Sequence, residues 1–278
     1  MRRTLAALAL VLSLPVLAQD EPAEESSGLD MDALMKDINL GSENAAAEVS
    51  YEGRLSSAAP GYAKGKPVAI THTGGTIAIR CMDTEGITAR LGYTIYGTNK
   101  TNMENFGKGI GLSSWGDANG GGVKTRVPSK GSGVSRADIP LTVNLPQDAK
   151  ITVTGGAGWV QIIDCNGTVK STNGDGGAYV SGTYTNVVVS ASKGDVKVEL
   201  TDASALTGTN SVSAAGGNAV LRLPLSYGGK FTAKGTNVSV FHTVMGTNSA
   251  SLVQGTIGAG TASVTVSAKD NVEVTAPK

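Results

Sequence analysis

Aromatic residues are scarce in this 278-residue chain: two Trp, three Phe and seven Tyr, 4% in all. Few rings are therefore on hand to stack on sugars or bases, and no recognised nucleic-acid module accompanies them, so nucleic acid is not an expected partner. The two histidines, His72 and His242, are too few to supply the nitrogen or thiolate ligands of a metal site, and both read as strand surface residues. No metal or cofactor is expected. A Gly-Lys-Ser/Thr signature after a strand is missing, which excludes phosphate cradling of the P-loop kind. No apolar run reaches the ~20 residues of a spanning helix. What the chain has in excess is glycine, 38 residues, with hydrophobic residues at 40% and charged residues at 17%, a profile of neither a coiled coil nor a long disordered tail.

The first 18 residues read as a cleaved secretory signal. Arg2 and Arg3 precede an apolar stretch at 5–17, interrupted by Ser13 and Pro15, and the small residues Val16 and Ala18 place cleavage between Ala18 and Gln19. No cysteine follows to take a lipid. The expectation is an exported protein, periplasmic, on the cell surface or extracellular, with no transmembrane segment in the mature chain.

A formal net charge of zero hides an asymmetry. Residues 19–54 carry ten acids against Lys36 and Arg54, while 55–278 carry 19 bases and 13 acids. Residues 19–64 thus read as an acidic arm and linker ahead of a mildly basic body. Met31, Leu34, Met35 and Ile38 have the spacing of a short helix. Two readings of the arm stay open, a solvated tail or a segment that docks on the body or on a cationic partner.

Both cysteines, Cys81 and Cys165, fall in the exported part. A disulfide between them would close a loop of about 84 residues and contribute up to roughly 4–5 kcal/mol on the chain-entropy model. The alternative is two buried thiols, since Ile77, Ile79 and Cys81 alternate onto one face. No histidine stands near either in sequence, so neither reads as catalytic.

From Val68 onward the chain is written in short β-prone runs separated by Gly, Asn and Asp. Strand centres fall near Gln161, Val169, Tyr179, Val188 and Lys197, a beat of eight to ten residues that suggests stacked rungs. Val196, Val198 and Leu200 should face inward, with Lys197 and Glu199 in solvent. A longer likeness joins 141–146 and 150–155 to 221–224 and 230–235, each a strand ending in Leu-Pro, a turn, then a strand closed by glycine. Residues 116–133, with Gly120, Gly121 and Gly122, interrupt the beat and read as a long loop or irregular hairpin.

These features resemble the "putative adhesin" family of exported bacterial β-solenoid domains. The resemblance covers about 65–278. It rests on the strand-Gly-strand opening at 68–79, Leu145-Pro146, rungs of small and β-branched residues closed by Gly or Asn-Gly, Leu223-Pro224, and a Gly-rich turn at 255–260 before the stretch 262–274. It implies a right-handed, solenoid-like fold and a role at the surface or in the envelope. The acidic arm and the stretch 116–133 have no counterpart in the pattern.

Four short segments carry residue types suited to chemistry. Thr73-Gly74-Gly75-Thr76 is similar to the opening of bacterial asparaginases, but the second Thr-Asp element, the lysine and the alternating helices of that enzyme are missing. Asn173-Gly174-Asp175-Gly176-Gly177 is similar to calcium-binding nonapeptide turns, yet only one such turn bears an aspartate, so an ordinary turn is expected. Asp195, Lys197, Glu199 and Asp202 fall close together as the carboxylates of a solenoid polysaccharide enzyme would; outward charges that keep a sheet soluble explain them equally. A basic group at Lys124, Arg126, Lys130 and Arg136 reads as a solvated loop.

The expectation is an all-β solenoid that is not an enzyme and offers polar sheet faces to an unknown macromolecule, with homo-oligomers left open by its exposed end rungs. A periplasmic scaffold working through the acidic arm is the alternative, and a polysaccharide-active enzyme a third.

Overall fold

A computed structural model describes residues 49–276. The leader with Ala18 and Gln19, most of the acidic arm and the expected helix at 31–40 lie outside the described residues.

The described chain is all-β with one helix. It runs through β1 (Val49–Ala59), β2 (Pro67–His72), β3 (Ile77–Met82) and β4 (Ile87–Gly97), helix α1 (Lys100–Gly109), then β5 (Gly111–Gly116), β6 (Gly121–Arg126), β7 (Val134–Asp138), β8 (Leu141–Pro146) and β9 (Lys150–Gly155). Two long strands follow, β10 (Val160–Asn173) and β11 (Ala178–Ala191), and after them β12 (Val196–Leu200), β13 (Thr209–Ala214), β14 (Ala219–Arg222) and β15 (Gly229–Lys234). The last are β16 (Asn237–Val240), β17 (Met245–Asn248), β18 (Leu252–Ile257), β19 (Ala262–Ala268) and β20 (Asn271–Thr275).

Most of these strands stack in two parallel ladders, between which the chain alternates. The first ladder runs β6, β2, β9, the second half of β10, the second half of β11, β13, β19, β15. The second runs β8, β3, the first half of β10, the first half of β11, β12, β14, β20, β16. β10 serves both because it bends at its middle, where Asp164 (φ 59°) and Gly167 (φ 93°) take left-handed conformations that Asp and Gly tolerate best. Gln161 pairs with Tyr179 and Tyr179 with Lys197. The beat of eight to ten residues read in the sequence is therefore half of an 18-residue circuit, one strand in each ladder.

The two Leu-Pro motifs mark where this circuit is broken. From β9 to β13, each crossing from the second ladder to the first climbs one level. After β8 and after β14 the crossing climbs two, and the skipped level is filled by a pair from elsewhere in the chain, β2 with β3 in one case and β19 with β20 in the other. Proline has no N–H to continue a ladder, which suits it to a corner. Each corner closes in the same way, Ala149 N donating to Pro146 O (3.2 Å) and Tyr227 N to Pro224 O (3.0 Å).

Most inward positions are Val, Ile, Leu and Ala, with Cys81, Cys165 and a few polar residues such as His72 and Ser171 among them. Val196, Val198 and Leu200 are buried while Lys197 is exposed and Glu199 half-buried, as the alternation requires. Each buried Val contributes on the order of 1.5 kcal/mol, and identical spacing up the stack limits side-chain size. Tyr184 and Phe231 are the large exceptions, both fully buried; the Tyr184 hydroxyl donates to Ser181 O, and burial raises its pKa.

Several sequence readings change. Residues 49–59, assigned to the arm, form β1, which pairs antiparallel with β4 along its whole length. Of the two readings of 116–133, the hairpin holds: β6 is joined to β5 by a turn in which Asp117 Oδ1 accepts from Asn119 N (2.7 Å) and Gly120 N (3.1 Å). Its glycines make room for a ring: a Cβ on Gly122 would lie 2.4 Å from Trp115. Helix α1 has no counterpart in the sequence reading. Asn99 caps it, accepting from Asn102 N at 2.9 Å, and Met103 and Phe106 bury its inner side. His242 lies in a bend between β16 and β17 and not in a strand.

Candidate functional site

His72 is the clearest correction: it is fully buried and faces inward from β2. Nε2 donates to Ile139 O (2.7 Å), a carbonyl that can only accept, so Nδ1 is left to accept from Thr125 Oγ1 (2.7 Å). Burial lowers its pKa, against a smaller upward effect of the Ile139 carbonyl. It cross-links β2 to the loop before β8. Alternation alone could have placed it inside, since Val68 and Ile70 share its parity.

Cys81 and Cys165 are joined in a disulfide with Cα atoms 4.9 Å apart. It ties β3, half of one intercalated pair, to β10 above it. Thr73-Gly74-Gly75-Thr76 is the corner between β2 and β3, where a Cβ on Gly75 would lie 2.4 Å from Ile139 O. Asp175 in the turn after β10 meets Lys193 at 2.9 Å. Among the described residues no three His, Cys, Asp or Glu side chains gather closely enough to hold a metal ion.

The charged group at 195–202 is dispersed. Asp195 begins a side-chain ladder at the head of the second-ladder strands. Its Oδ1 accepts from Asn218 N (2.7 Å) and Nδ2 (3.1 Å), Asn218 Oδ1 accepts from Asn271 N (3.2 Å) and Nδ2 (2.9 Å), and Asn271 Oδ1 accepts from Asn237 Nδ2 (2.9 Å). Lys197 and Glu199 pair at 3.1 Å, and the Tyr179 hydroxyl donates to Glu199. Burial would raise the Glu199 pKa, but Tyr179, Lys197 and Arg222 together bring it below the usual value. Asp202 is exposed in the turn after β12.

The outward faces of the two ladders are where the molecule meets its surroundings, and they differ. On the second-ladder face, Arg80 pairs with Asp164 (3.4 Å) and Lys197 with Glu199. On the first-ladder face no outward position of any strand holds an acid. One row reads Lys124, Thr71, Thr154, Thr172, Ser190, Ser213, Ser267, Lys234 up the stack. Neighbouring hydroxyls in it repeat at the strand spacing of about 4.8 Å, and Ser267 Oγ donates to Ser213 Oγ at 3.1 Å. Rows beside it add Lys150, Lys170 and Lys230, all exposed. None of these five lysines is in an ion pair among the described residues. Of the basic group read as a loop, Lys124 and Arg126 belong to this face, whereas Arg136 sits on β7, bound to Asp138 (2.9 Å) and stacked over Tyr96.

No family model and no curated protein matches the chain. Solved structures similar to it include a putative cell adhesion protein from Clostridium sporogenes ATCC 15579, at 16% identity over 84% of this chain and 100% of that one, with a TM-score of 0.45. A putative adhesin from Bacteroides fragilis NCTC 9343 follows at 10% identity, 85% and 100% coverage and a TM-score of 0.27. A putative lipid binding protein from Parabacteroides distasonis ATCC 8503 stands at 10% identity, 82% and 97% coverage and a TM-score of 0.30.

Proposed function

We propose that this chain is an exported, non-enzymatic contact protein of adhesin-like kind, a β-solenoid whose first-ladder face binds acidic polysaccharide. The acid-free face carries the reading. Lysines at both ends of a flat field of hydroxyls offer charge attraction to a linear polyanion and hydrogen bonds to its sugars, each contact weak and many made at once. On the opposite face Arg80 and Lys197 are already paired with Asp164 and Glu199, and the scarcity of rings favours a polar ligand held by charge over a neutral sugar held by stacking. The non-enzymatic reading is supported by Asp195 and Glu199, whose carboxylates are engaged by Asn218 and by Tyr179 with Lys197.

Binding to immobilised polygalacturonate, with dextran as the neutral control and single-stranded DNA as a second polyanion, tests this. Retention on polygalacturonate should exceed that on dextran and weaken as salt rises. Lys150→Gln or Lys170→Gln alone should weaken it only severalfold, and the set Lys124, Lys150, Lys170, Lys230, Lys234→Gln should abolish it. Equal binding to dextran, or indifference to the fivefold variant, would overturn the proposal, and preference for DNA would replace the ligand class. Protease treatment of intact producing cells bears on the adhesin-like role: a chain protected in the periplasm would favour the scaffold reading. In that reading the arm must be cut at residue 48, because 49–54 belong to β1.

A further inference from the structure

The end of the stack beyond β16 holds the longest charge-free run in the chain: residues 235–268, 34 positions, contain no Lys, Arg, Asp, Glu or Pro. That run makes β16, β17, β18 and β19. β18 pairs antiparallel with β15, and β17 with β18. β17 is exposed along its whole length, and among the described residues no strand lies on its other edge. Met245 at its start and Phe241 just before it stand 69% and 68% exposed. An open groove of about 430 Å³, lined by Val238, Val240, Val244 and Val253 with His242 and Asn248, runs between β16 and the segments that follow. The side-chain ladder that begins at Asp195 ends at this same level, on Asn237.

Exposed strand edges are ordinarily guarded by charges, proline or a covering element. The opposite end of the molecule follows that rule: its edge strand β1 carries Glu52 and Arg54, and α1 packs against it. The β17 end has no such guard.

We infer that the β17 end is an interface for a second copy of this chain, the two meeting tail to tail about a twofold axis. A twofold contact needs a patch that complements itself. An edge with backbone donors and acceptors in alternation, apolar side chains and no charge of either sign meets that need, since its own copy brings nothing it must repel. A charged partner would bury its charges against a surface that offers no counter-charge. Backbone pairing across the free edge extends the ladder, and Phe241 and Met245 of each molecule close over the other's groove.

This inference is independent of the acid-free face. It is tested by sedimentation velocity of the mature chain over micromolar concentrations. A dimer is expected. Thr247→Lys and Met245→Lys, both at exposed positions of β17, should weaken association about a hundredfold or more while leaving the melting curve of the monomer unchanged. Ser50→Lys, at the exposed start of β1, should leave the dimer intact. A chain that stays monomeric at all concentrations would overturn the inference. So would an open-ended polymer, which signals head-to-tail stacking, or a dimer that resists both β17 variants and yields to Ser50→Lys.

Discussion

The two ladders contain eight parallel strands each and bury the same kinds of side chain, yet their outward faces share almost nothing. Inside, Val153 on one and Val198 on the other meet the same demand, a β-branched residue at a fixed spacing. Outside, one face pairs Arg80 with Asp164 and Lys197 with Glu199, while the other leaves five lysines among hydroxyls without an acid. Packing constrains the inner residues and leaves the outer ones free, so the difference between the faces is where contact with other molecules can be specified.

The comparison breaks most severely if inner and outer positions are exchanged on one strand. Val198→Asp puts an unpaired carboxylate inside and should cost about 4 kcal/mol or more, whereas Lys197→Val next to it should change stability by less than about 1 kcal/mol; urea unfolding of both reads the contrast. Similar losses would mean that β12 is not oriented as described.

Next in size is the disulfide, which ties β3 to β10 within the second ladder. Cys81→Ala with Cys165→Ala should lower stability by about 4 kcal/mol, and reductant should lower the melting temperature of the parent but not of the variant. A parent indifferent to reductant would show that the loop closure is not stabilising.

The first ladder has an inner device of its own in His72. Its folded pKa lies below the ordinary value of about 6.5, so the unfolded chain takes up the proton first. Stability should therefore be level above about pH 6.5 and fall as pH drops below it, through the window down to the folded pKa. His72→Gln should be less stable at neutral pH yet lose less on acidification, and parallel pH profiles would remove His72 as the cause.

The smallest effects belong to the outer faces. Tyr179→Phe removes the hydrogen bond to half-buried Glu199 and should cost up to about 1 kcal/mol. Lys170→Gln breaks no ion pair and should be within about 0.5 kcal/mol of the parent. If both cost the same, the contrast between a paired and an unpaired face is lost.

Much of this was legible residue by residue. The alternation at 196–200 and the beat through Gln161, Tyr179 and Lys197 give strands and a repeat, because both depend on neighbours in sequence. The likeness between the two Leu-Pro segments was visible as a pattern, but its meaning was not: which level a strand joins depends on edges left open by residues far along the chain. β1 alternates at Tyr51, Gly53, Leu55 and Ser57, a signal hidden by the acids that precede it. Helix α1 spans ten residues with two glycines, too short for periodicity to stand out. The acid-free face is not legible in the sequence because each strand gives it only about three residues, and Asp195 and Glu199 nearby in sequence point elsewhere.

By itself the sequence determined the all-β class, the short strands, the turns and the inward alternation, since pleat and turn chemistry act over a few residues. Tertiary structure alone decided that β2 with β3 and β19 with β20 slip between levels built by other segments. It also decided that one face collects lysines and hydroxyls without an acid, and that the 34-residue uncharged run lies at one end. Those outcomes depend on which strands become neighbours, and backbone hydrogen bonds between strands carry no record of sequence distance.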